Sequence, residues 1–190
     1  SFAYRDTSTV SWIDVQGLHD TALIARLGEH FHLHPLLLED ILTTGQRPKL
    51  EDFGDYLAVF LTMFSLGDGG TIQYEQVTLV IGERYVISFQ EGDRDVFGPI
   101  RERLRGNRGL IRKLGPDYLA YALMEAIVDN YFVVLERLEE VIEQTEEAVL
   151  AQPDTDSIHA MYALKSEVLF LRRAMWPLRE VVSQLQIAET

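Results

Sequence analysis

The feature that most constrains this chain is a pair of long helical patterns that follow one another from Pro116 onward. Between Asp117 and Leu150, apolar side chains recur at steps of four and three, which is typical of one face of a long helix: Met124, Val128, Tyr131, Leu135, Leu138, Ile142, Thr145 and Val149. A second stripe, from Thr155 to Leu185, repeats these steps: Ile158, Met161, Leu164, Val168, Leu171, Met175, Leu178, Val182 and Leu185. Since only the short Pro153–Ser157 turn separates them, the stripes predict an antiparallel helical hairpin. Pro177 lies inside the second stripe and predicts a local bend there.

Residues 1–113 carry shorter patterns that alternate between strand and helix. The predicted strands are Thr9–Gln16, Tyr56–Ser65, Tyr74–Ile81 and Arg84–Phe89, and the predicted helices are Thr21–Phe31, Pro35–Thr43 and Val96–Arg105. Asp20 is a suitable N-cap for the first helix, and the last two strands are close enough to form a hairpin. We therefore expect an α+β or α/β fold, an αβα sandwich with a mixed sheet in residues 1–113, followed by the helical hairpin in residues 114–190.

The formal net charge of -13 limits the partners of this chain. Nucleic acids and anionic membrane surfaces attract clustered lysine and arginine, so cations or a basic protein segment are better partners. We expect the one basic cluster to be solvated or paired with the acidic helix that follows it: Arg101, Arg103, Arg105, Arg108, Arg112 and Lys113. The chain has no cysteine, and we find no apolar run of about 20 residues that would span a bilayer.

Residues 34–49, with the sequence HPLLLEDILTTGQRPK, form a short helix with two adjacent carboxylates. Pro35 suits the first helical position, and Gly45 is a plausible left-handed residue after the last turn. Glu39 and Asp40 fall opposite the apolar face, near the helix C-terminus, where the helix dipole disfavours acids. Two interpretations stay open: the carboxylates bind a cation, or they form a solvated face with Arg47 or Lys49 as a partner.

Other polar patterns allow further sites. The first long helix carries an acidic stripe, which is typical of a solvated face and also attracts cations: Glu125, Asp129, Glu136, Glu140, Glu143 and Glu147. His30, His32 and His34 alternate, but they straddle a helix end and a proline, so their rings need not converge on a metal. A hydrolase centre built from His30, His32, Glu39 and Asp40 lacks any nucleophile–base spacing or phosphate loop, so we expect no enzyme.

Five segments, in order along the chain, resemble the CorA family of magnesium and cobalt transport proteins. They are WIDVQGLHD at 12–20, HPLLLEDILTTGQRPK at 34–49, EQVTLVIGERYVISFQE at 75–91, the run DVFGPIRERLRGNRGLIRKLGPDYLAYALMEAIVDNYF at 95–132, and RRAMWPLREVVSQL at 172–185. The resemblance extends from Tyr4 to Leu185. It implies an N-terminal cytoplasmic portion of an inner-membrane protein, because the family's membrane helices follow a stalk helix that this sequence does not contain.

The same resemblance implies a function and a site. Family members are homopentameric ion channels, and residues matching Glu39, Asp40 and Glu125 are implied to bind regulatory Mg²⁺, or Co²⁺, between neighbouring subunits. Ions bound there hold the ring closed, and their loss lets like charges separate the subunits. The main partner carboxylate belongs to the stalk helix, and Gly45 stands where some relatives have histidine. The alternatives are the zinc-transporting branch of the family and a non-transport oligomeric scaffold, and the run TGQRPK favours the magnesium and cobalt branch.

Overall fold

The computed structural model describes residues 9–92, 96–106, 110–151 and 154–188. The strands are β1 (Ser11–Gln16), β2 (Lys49–Asp52), β3 (Tyr56–Leu66), β4 (Ile72–Gly82) and β5 (Tyr85–Gln90), and the helices are α1 (Thr21–Phe31), α2 (Pro35–Leu42), α3 (Gly98–Arg105), α4 (Pro116–Ala151), α5 (Thr155–Met175) and α6 (Leu178–Ala188). The predicted strands and the helices before residue 152 are confirmed with ends shifted by a few residues, and β2 was not predicted. Arg108 and Pro153, which belong to the predicted basic cluster and turn, lie outside the described residues.

The strands form one mixed sheet in the order β1-β5-β4-β3-β2. The pair β1–β5 is parallel, and the other neighbouring pairs are antiparallel. The predicted hairpin between β4 and β5 is confirmed, with Gly82 opposite Tyr85. A Cβ atom at Gly82 would lie 2.4 Å from the Tyr85 ring, so the turn needs glycine at this position.

Helices cover both faces of the sheet, which confirms the predicted αβα sandwich. Successive residues of a strand point to opposite faces, and β3 shows this directly. Ala58 and Phe60 are buried with residues of α1 and α2, whereas Val59 and Leu61 are buried with residues of α3 to α6. The helix α2 and the helix α4 therefore lie on opposite sides of the sheet.

The apolar stripe predicted for the first half of α4 is confirmed only in part. Tyr131 and Leu138 are buried, but Val128 is 39% exposed and Leu135 is 37% exposed. The buried residues form a broader face turned toward the sheet: Leu119, Ala120, Ala122, Leu123, Ile127, Tyr131, Val134 and Leu138. The Asn130 side-chain amide donates to the Phe64 carbonyl and the Tyr131 hydroxyl donates to the Thr62 carbonyl. The sheet, rather than the partner helix, decides which face of this segment is buried.

From Leu135 onward, α4 does pair with α5 as predicted. The groove between the helices is lined first by Leu135 and Met175 and farther along by Val149 and Met161. Rising numbers on α4 thus meet falling numbers on α5, which makes the hairpin antiparallel. The boundary predicted at residue 113 stays a prediction, although Leu123 of α4 lies in the same core cluster as β3.

The second long helix is broken, which corrects the prediction of one helix with a bend. The helix α5 ends at Met175, and α6 begins at Leu178. Pro177 lacks an N–H group and its ring conflicts with the carbonyl four residues earlier, so the regular hydrogen-bond ladder stops before it. After the break, α6 packs near β2, and Val181 is buried in the core.

Within the described residues, α4 alone is long and apolar enough to cross a membrane by length and composition. This differs from the sequence analysis, which found no such run. The fold explains part of this run, because Leu123, Ile127 and Val134 pack against the sheet in the protein core, while 39% of the apolar window as a whole is buried. An apolar helix that is buried inside a protein passes the same test as a membrane span.

Candidate metal-binding carboxylates

The helix α2 sets the positions of Glu39 and Asp40. It begins at His34, whose Nδ1 accepts a hydrogen bond of 3.2 Å from the Leu36 N–H. Leu37 and Ile41 are completely buried against the sheet. Because side chains three and four residues apart share a helix face, burial of these two turns Glu39 and Asp40 away from the core, as predicted.

Asp40 has a positive partner within the chain. The Lys49 Nζ lies 2.6 Å from Asp40 Oδ2, and the Gln46 side-chain amide donates to Asp40 Oδ1 at 3.3 Å. The Asp40 and Lys49 side chains are each 30% exposed. The interpretation that names Lys49 as a partner is thus confirmed, and the metal interpretation of Asp40 stays a prediction.

Lys49 is shared between two carboxylates. Its Nζ also lies 2.8 Å from Glu51 Oε1, on the same side of β2, and 4.6 Å from the centre of the Phe60 ring. Partial burial by itself lowers the pKa of Lys49, but the hydrogen bonds to Asp40 and Glu51 outweigh it and raise that pKa above its ordinary value. Lys49 is therefore fully charged at neutral pH.

Glu39 and Glu125 are exposed. Among the described residues the Glu39 carboxylate has no hydrogen bond or ion pair, and it shares the outer face of α2 with Leu36, which is 62% exposed. Glu125 accepts a hydrogen bond of 3.1 Å from the Tyr121 hydroxyl, and this bond, together with the carboxylate charge, raises the pKa of Tyr121. The rest of the acidic stripe on α4 is exposed too, which confirms a solvated face for it.

The three predicted metal ligands do not come together in one chain. Within the part of the chain that the structure describes, no three His, Asp or Glu side chains are grouped closely enough to hold a metal ion. Glu39 and Asp40 lie on the α2 side of the sheet, and Glu125 lies on the α4 side. Their carboxylate oxygens are the ligands that Mg²⁺ prefers. Asp40 already holds a positive group, the Lys49 ammonium, beside its carboxylate. The chemistry of these residues therefore fits one part of a metal site that two copies of the chain would share.

Two glutamines that were not predicted support Asp40, one from the sheet and one from the segment before β2. Gln76 of β4 donates from its side chain to the Asp40 carbonyl at 3.2 Å, and its side-chain oxygen accepts from the Gln46 N–H at 2.9 Å. Gln76 is only 6% exposed. The run of polar residues Glu75 and Gln76 beside the apolar half of β4 was the signal that could have identified it, because polar groups buried in a sheet need partners.

The other polar patterns have structural roles. His34 caps α2, and His32 adopts a left-handed backbone with φ of 54° after α1. Arg101 of the basic cluster pairs with Asp14 of β1. A solvated face or pairing with the acidic helix was expected for this cluster. Arg105, Arg112 and Lys113 are exposed, as expected, whereas the partner of Arg101 lies in the sheet and not in the acidic helix.

Comparisons with known proteins identify relatives of this chain. Residues 7–189 match the family described as CorA-like Mg2+ transporter protein. The chain is 46% identical over 183 residues to the cobalt/magnesium transport protein CorA of Thermotoga maritima, covering 96% of this chain and 52% of that protein. It therefore spans about half the length of this curated relative.

Two solved structures share the fold. The soluble domain of CorA from Methanocaldococcus jannaschii superposes with a TM-score of 0.77 at 17% identity, covering 90% of this chain and 68% of that one. The ZntB cytoplasmic domain from Vibrio parahaemolyticus gives a TM-score of 0.71 at 16% identity, covering 94% and 69%. At such identities the likeness concerns the fold alone. Since the family match extends over nearly the whole sequence, the chain belongs to the CorA-like Mg²⁺ transporter family.

Proposed function

We propose that this chain is the cytoplasmic, divalent-cation-sensing domain of a magnesium and cobalt ion channel. The observation that carries the proposal is the placement of carboxylates on opposite sides of one sheet, exposed Glu39 and half-buried Asp40 on α2 and exposed Glu125 on α4. Neither group completes a metal site alone. Glu39 and Glu125 are open to a neighbouring copy of the chain, whereas Asp40 must share its carboxylate with Lys49. The family resemblance favours a ring of five identical subunits at the inner membrane.

Electrostatics supports this role. Carboxylates that face each other across an interface repel, and the repulsion disfavours the closed arrangement of subunits. Bound Mg²⁺ would supply positive charge that turns this repulsion into attraction, and its hydration shell would contact the carboxylates on both sides of the interface. Asp40 and Glu39 would act from one subunit and Glu125 from the next, so the subunits separate when cytosolic Mg²⁺ falls.

The donor set favours magnesium or cobalt over zinc. Zinc sites in proteins are built mainly from cysteine and histidine. The chain has no cysteine, and among the described residues His30, His32 and His34 do not form a metal-binding group. Carboxylate oxygens suit Mg²⁺, so the zinc-transporting branch is the second candidate. The exposed apolar groove between α4 and α5 would fit a non-transport scaffold, which is the third.

The test uses the full-length protein in liposomes, with ion flux measured as internal Mg²⁺ is raised. Asp40→Asn should weaken inhibition by Mg²⁺, because it removes the charge that the ion neutralises. Asp68→Asn, in the exposed turn after β3, removes the same charge far from α2 and should leave inhibition unchanged. Equal inhibition in the Asp40→Asn variant and the wild type would refute the sensing role. Mg²⁺-independent assembly in analytical ultracentrifugation, with no flux, would favour the scaffold.

A further inference from the structure

We propose that Lys49 is a built-in competitor for the Asp40 carboxylate and sets the concentration of divalent cation at which the site fills. This inference rests on the proposed function, since it requires Asp40 to bind the regulatory ion. It concerns a residue that the sequence identified only as a possible ion-pair partner. The geometry around Lys49 gives three reasons for a competing role.

The first reason is occupancy. The Lys49 ammonium lies 2.6 Å from Asp40 Oδ2, and the Gln46 amide lies 3.3 Å from Oδ1. Both oxygens of the carboxylate are thus engaged by donors of the same chain. A divalent cation binds carboxylate oxygens directly or through its water shell. The side of Oδ2 that faces Lys49 becomes open to such an ion only after Lys49 moves away.

The second reason is that Lys49 has an alternative partner already in place. Glu51 lies two residues farther along β2, on the same side of the strand, with Oε1 2.8 Å from the Lys49 Nζ. Lysine has three N–H donors and a flexible stem, so Lys49 can keep Glu51 while releasing Asp40. The Phe60 ring, 4.6 Å from Nζ, also remains in contact. Lys49 therefore loses one partner on release without being left unpaired.

The third reason is accessibility. The Asp40, Lys49 and Glu51 side chains are 30%, 30% and 35% exposed. Water can replace the lost hydrogen bond during exchange, which keeps the exchange reversible. A fully buried ion pair would resist the same change, because a charge left without its partner in the interior is strongly destabilising.

Electrostatics gives the size of the effect. A single positive charge roughly 5 Å from a divalent cation, in a water-like dielectric, weakens binding by about tenfold. Removing the charge of Lys49 should therefore tighten binding by about tenfold. Removing the charge of Glu51 should weaken binding by a few fold, because Lys49 then has Asp40 as its main partner.

A purely structural role for Lys49 predicts the opposite sign. In that case the Lys49–Asp40 pair holds α2 against β2, and its loss would let the carboxylate move and weaken ion binding. The direction of the affinity change thus separates a competitor from a structural brace. The Lys49→Gln substitution suits this test, because it removes the charge and keeps an N–H donor on a side chain only one atom shorter.

The experiment is isothermal titration calorimetry of the purified full-length protein with MgCl₂ and then with CoCl₂. Lys49→Gln should lower the dissociation constant about tenfold, and Glu51→Gln should raise it by a few fold. Lys165→Gln, on the exposed face of α5, makes the same change in net charge and should leave the constant within about twofold of the wild type. Thermal denaturation in EDTA checks that each variant is folded.

The Asp40→Asn variant distinguishes failure of the proposed sensing function from failure of the competitor role of Lys49. If Asp40→Asn leaves ion binding unchanged, the proposed function fails and the competitor role fails with it. If Asp40→Asn weakens binding while Lys49→Gln leaves it unchanged or weakens it, only the competitor role is refuted. If both substitutions act as expected, combining them should abolish the gain of Lys49→Gln, since the competitor then has no carboxylate to occupy.

Discussion

Replacing Ser88 by alanine should destabilise the sheet through a polar network that joins β1, β5 and α3. The Trp12 indole N–H donates to Ser88 Oγ at 2.9 Å, and the Ser88 hydroxyl donates to Asp14 Oδ1 at 2.7 Å. The other Asp14 oxygen accepts from Arg101, whose guanidinium lies 5.5 Å from the Trp12 ring centre. Ser88 is completely buried, so water cannot take over both of its roles.

The expected loss follows from these two hydrogen bonds. Ser88→Ala leaves the Trp12 N–H without its acceptor, which costs about 1–3 kcal/mol for a buried donor. Asp14 loses one donor but keeps Arg101, so its charge stays compensated. We expect the free energy of unfolding to fall by about 2–3 kcal/mol, which at about 2 kcal/mol per molar urea is a midpoint shift of about 1 M.

The assay is urea unfolding followed by circular dichroism, with Ser166→Ala as the matched control. The Ser166 hydroxyl is exposed and makes one hydrogen bond of 2.9 Å to the Tyr162 carbonyl of its own helix, so its loss should change stability by less than about 0.5 kcal/mol. Combining Ser88→Ala with Trp12→Phe should give less than the sum of the two losses, because the substitutions share a bond. A Ser88→Ala loss no larger than that of Ser166→Ala would refute the network as a source of stability.

Three further predictions concern α4 and α5. Leu123→Ala, at a completely buried residue, should lower the free energy of unfolding by about 2–5 kcal/mol, whereas Leu150→Ala, at a residue that is 84% exposed, should change it by less than about 0.5 kcal/mol in the same urea assay. Burial raises the pKa of Tyr131. The stabilising effect of the neutral hydroxyl is therefore complete below the ordinary tyrosine pKa of about 10 and is lost as the pH rises further. Tyr131→Phe should lower the free energy of unfolding by about 1 kcal/mol at pH 7 and flatten the fall in stability at alkaline pH. Hydrogen bonds from Ser157 lower the pKa of Asp154, so this helix cap is effective above the ordinary aspartate pKa and fails as the pH falls through the lowered value. Asp154→Ala should speed amide exchange in the first turn of α5 near neutral pH but not at a pH below that lowered value.

Local signals predicted much of this fold because they depend on neighbours in sequence. Asp20 caps α1 as expected, with its Oδ1 2.9 Å from the Leu23 N–H. The short link after Gly82 predicted the β4–β5 hairpin, since so few residues leave hardly any other connection. Gly45 has a φ of 91°, the left-handed conformation expected after α2. Each of these features is set by a few adjacent residues and by steric rules that act within them.

The errors share a different cause, which is competition from distant parts of the chain. The strand β2 was missed because its four residues, Lys49–Asp52, are mostly charged and form a strand only by pairing with β3. Val128 fits the apolar stripe of α4 as well as Ile127 does, yet the sheet buries Ile127. Periodicity shows that a helix has an apolar face but does not show which element covers it.

The same limit applies to the candidate site. The sequence identified the acidic residues but not how far a nearby positive charge neutralises them in the fold. Asp40 and Lys49 are nine residues apart, and only the unpredicted strand β2 brings the lysine to 2.6 Å from the carboxylate. Glu51 lies on the same strand, so Lys49 is shared between the Glu51 and Asp40 carboxylates. A list of acidic residues therefore overstates how much free negative charge a folded chain offers to a metal ion.

The position of the acids also restricts how subunits can meet if the proposed sensing role is correct. Helices packed on opposite faces of one sheet lie roughly 20 Å apart, since each helix is about 10 Å across. A divalent cation holds its ligands within about 2–3 Å, so Asp40 and Glu125 of one chain cannot share it. An ion that both residues bind must join the α2 face of one subunit to the α4 face of another. Such a contact pairs two different surfaces, and contacts of this kind generate closed rings when the rotation between subunits closes.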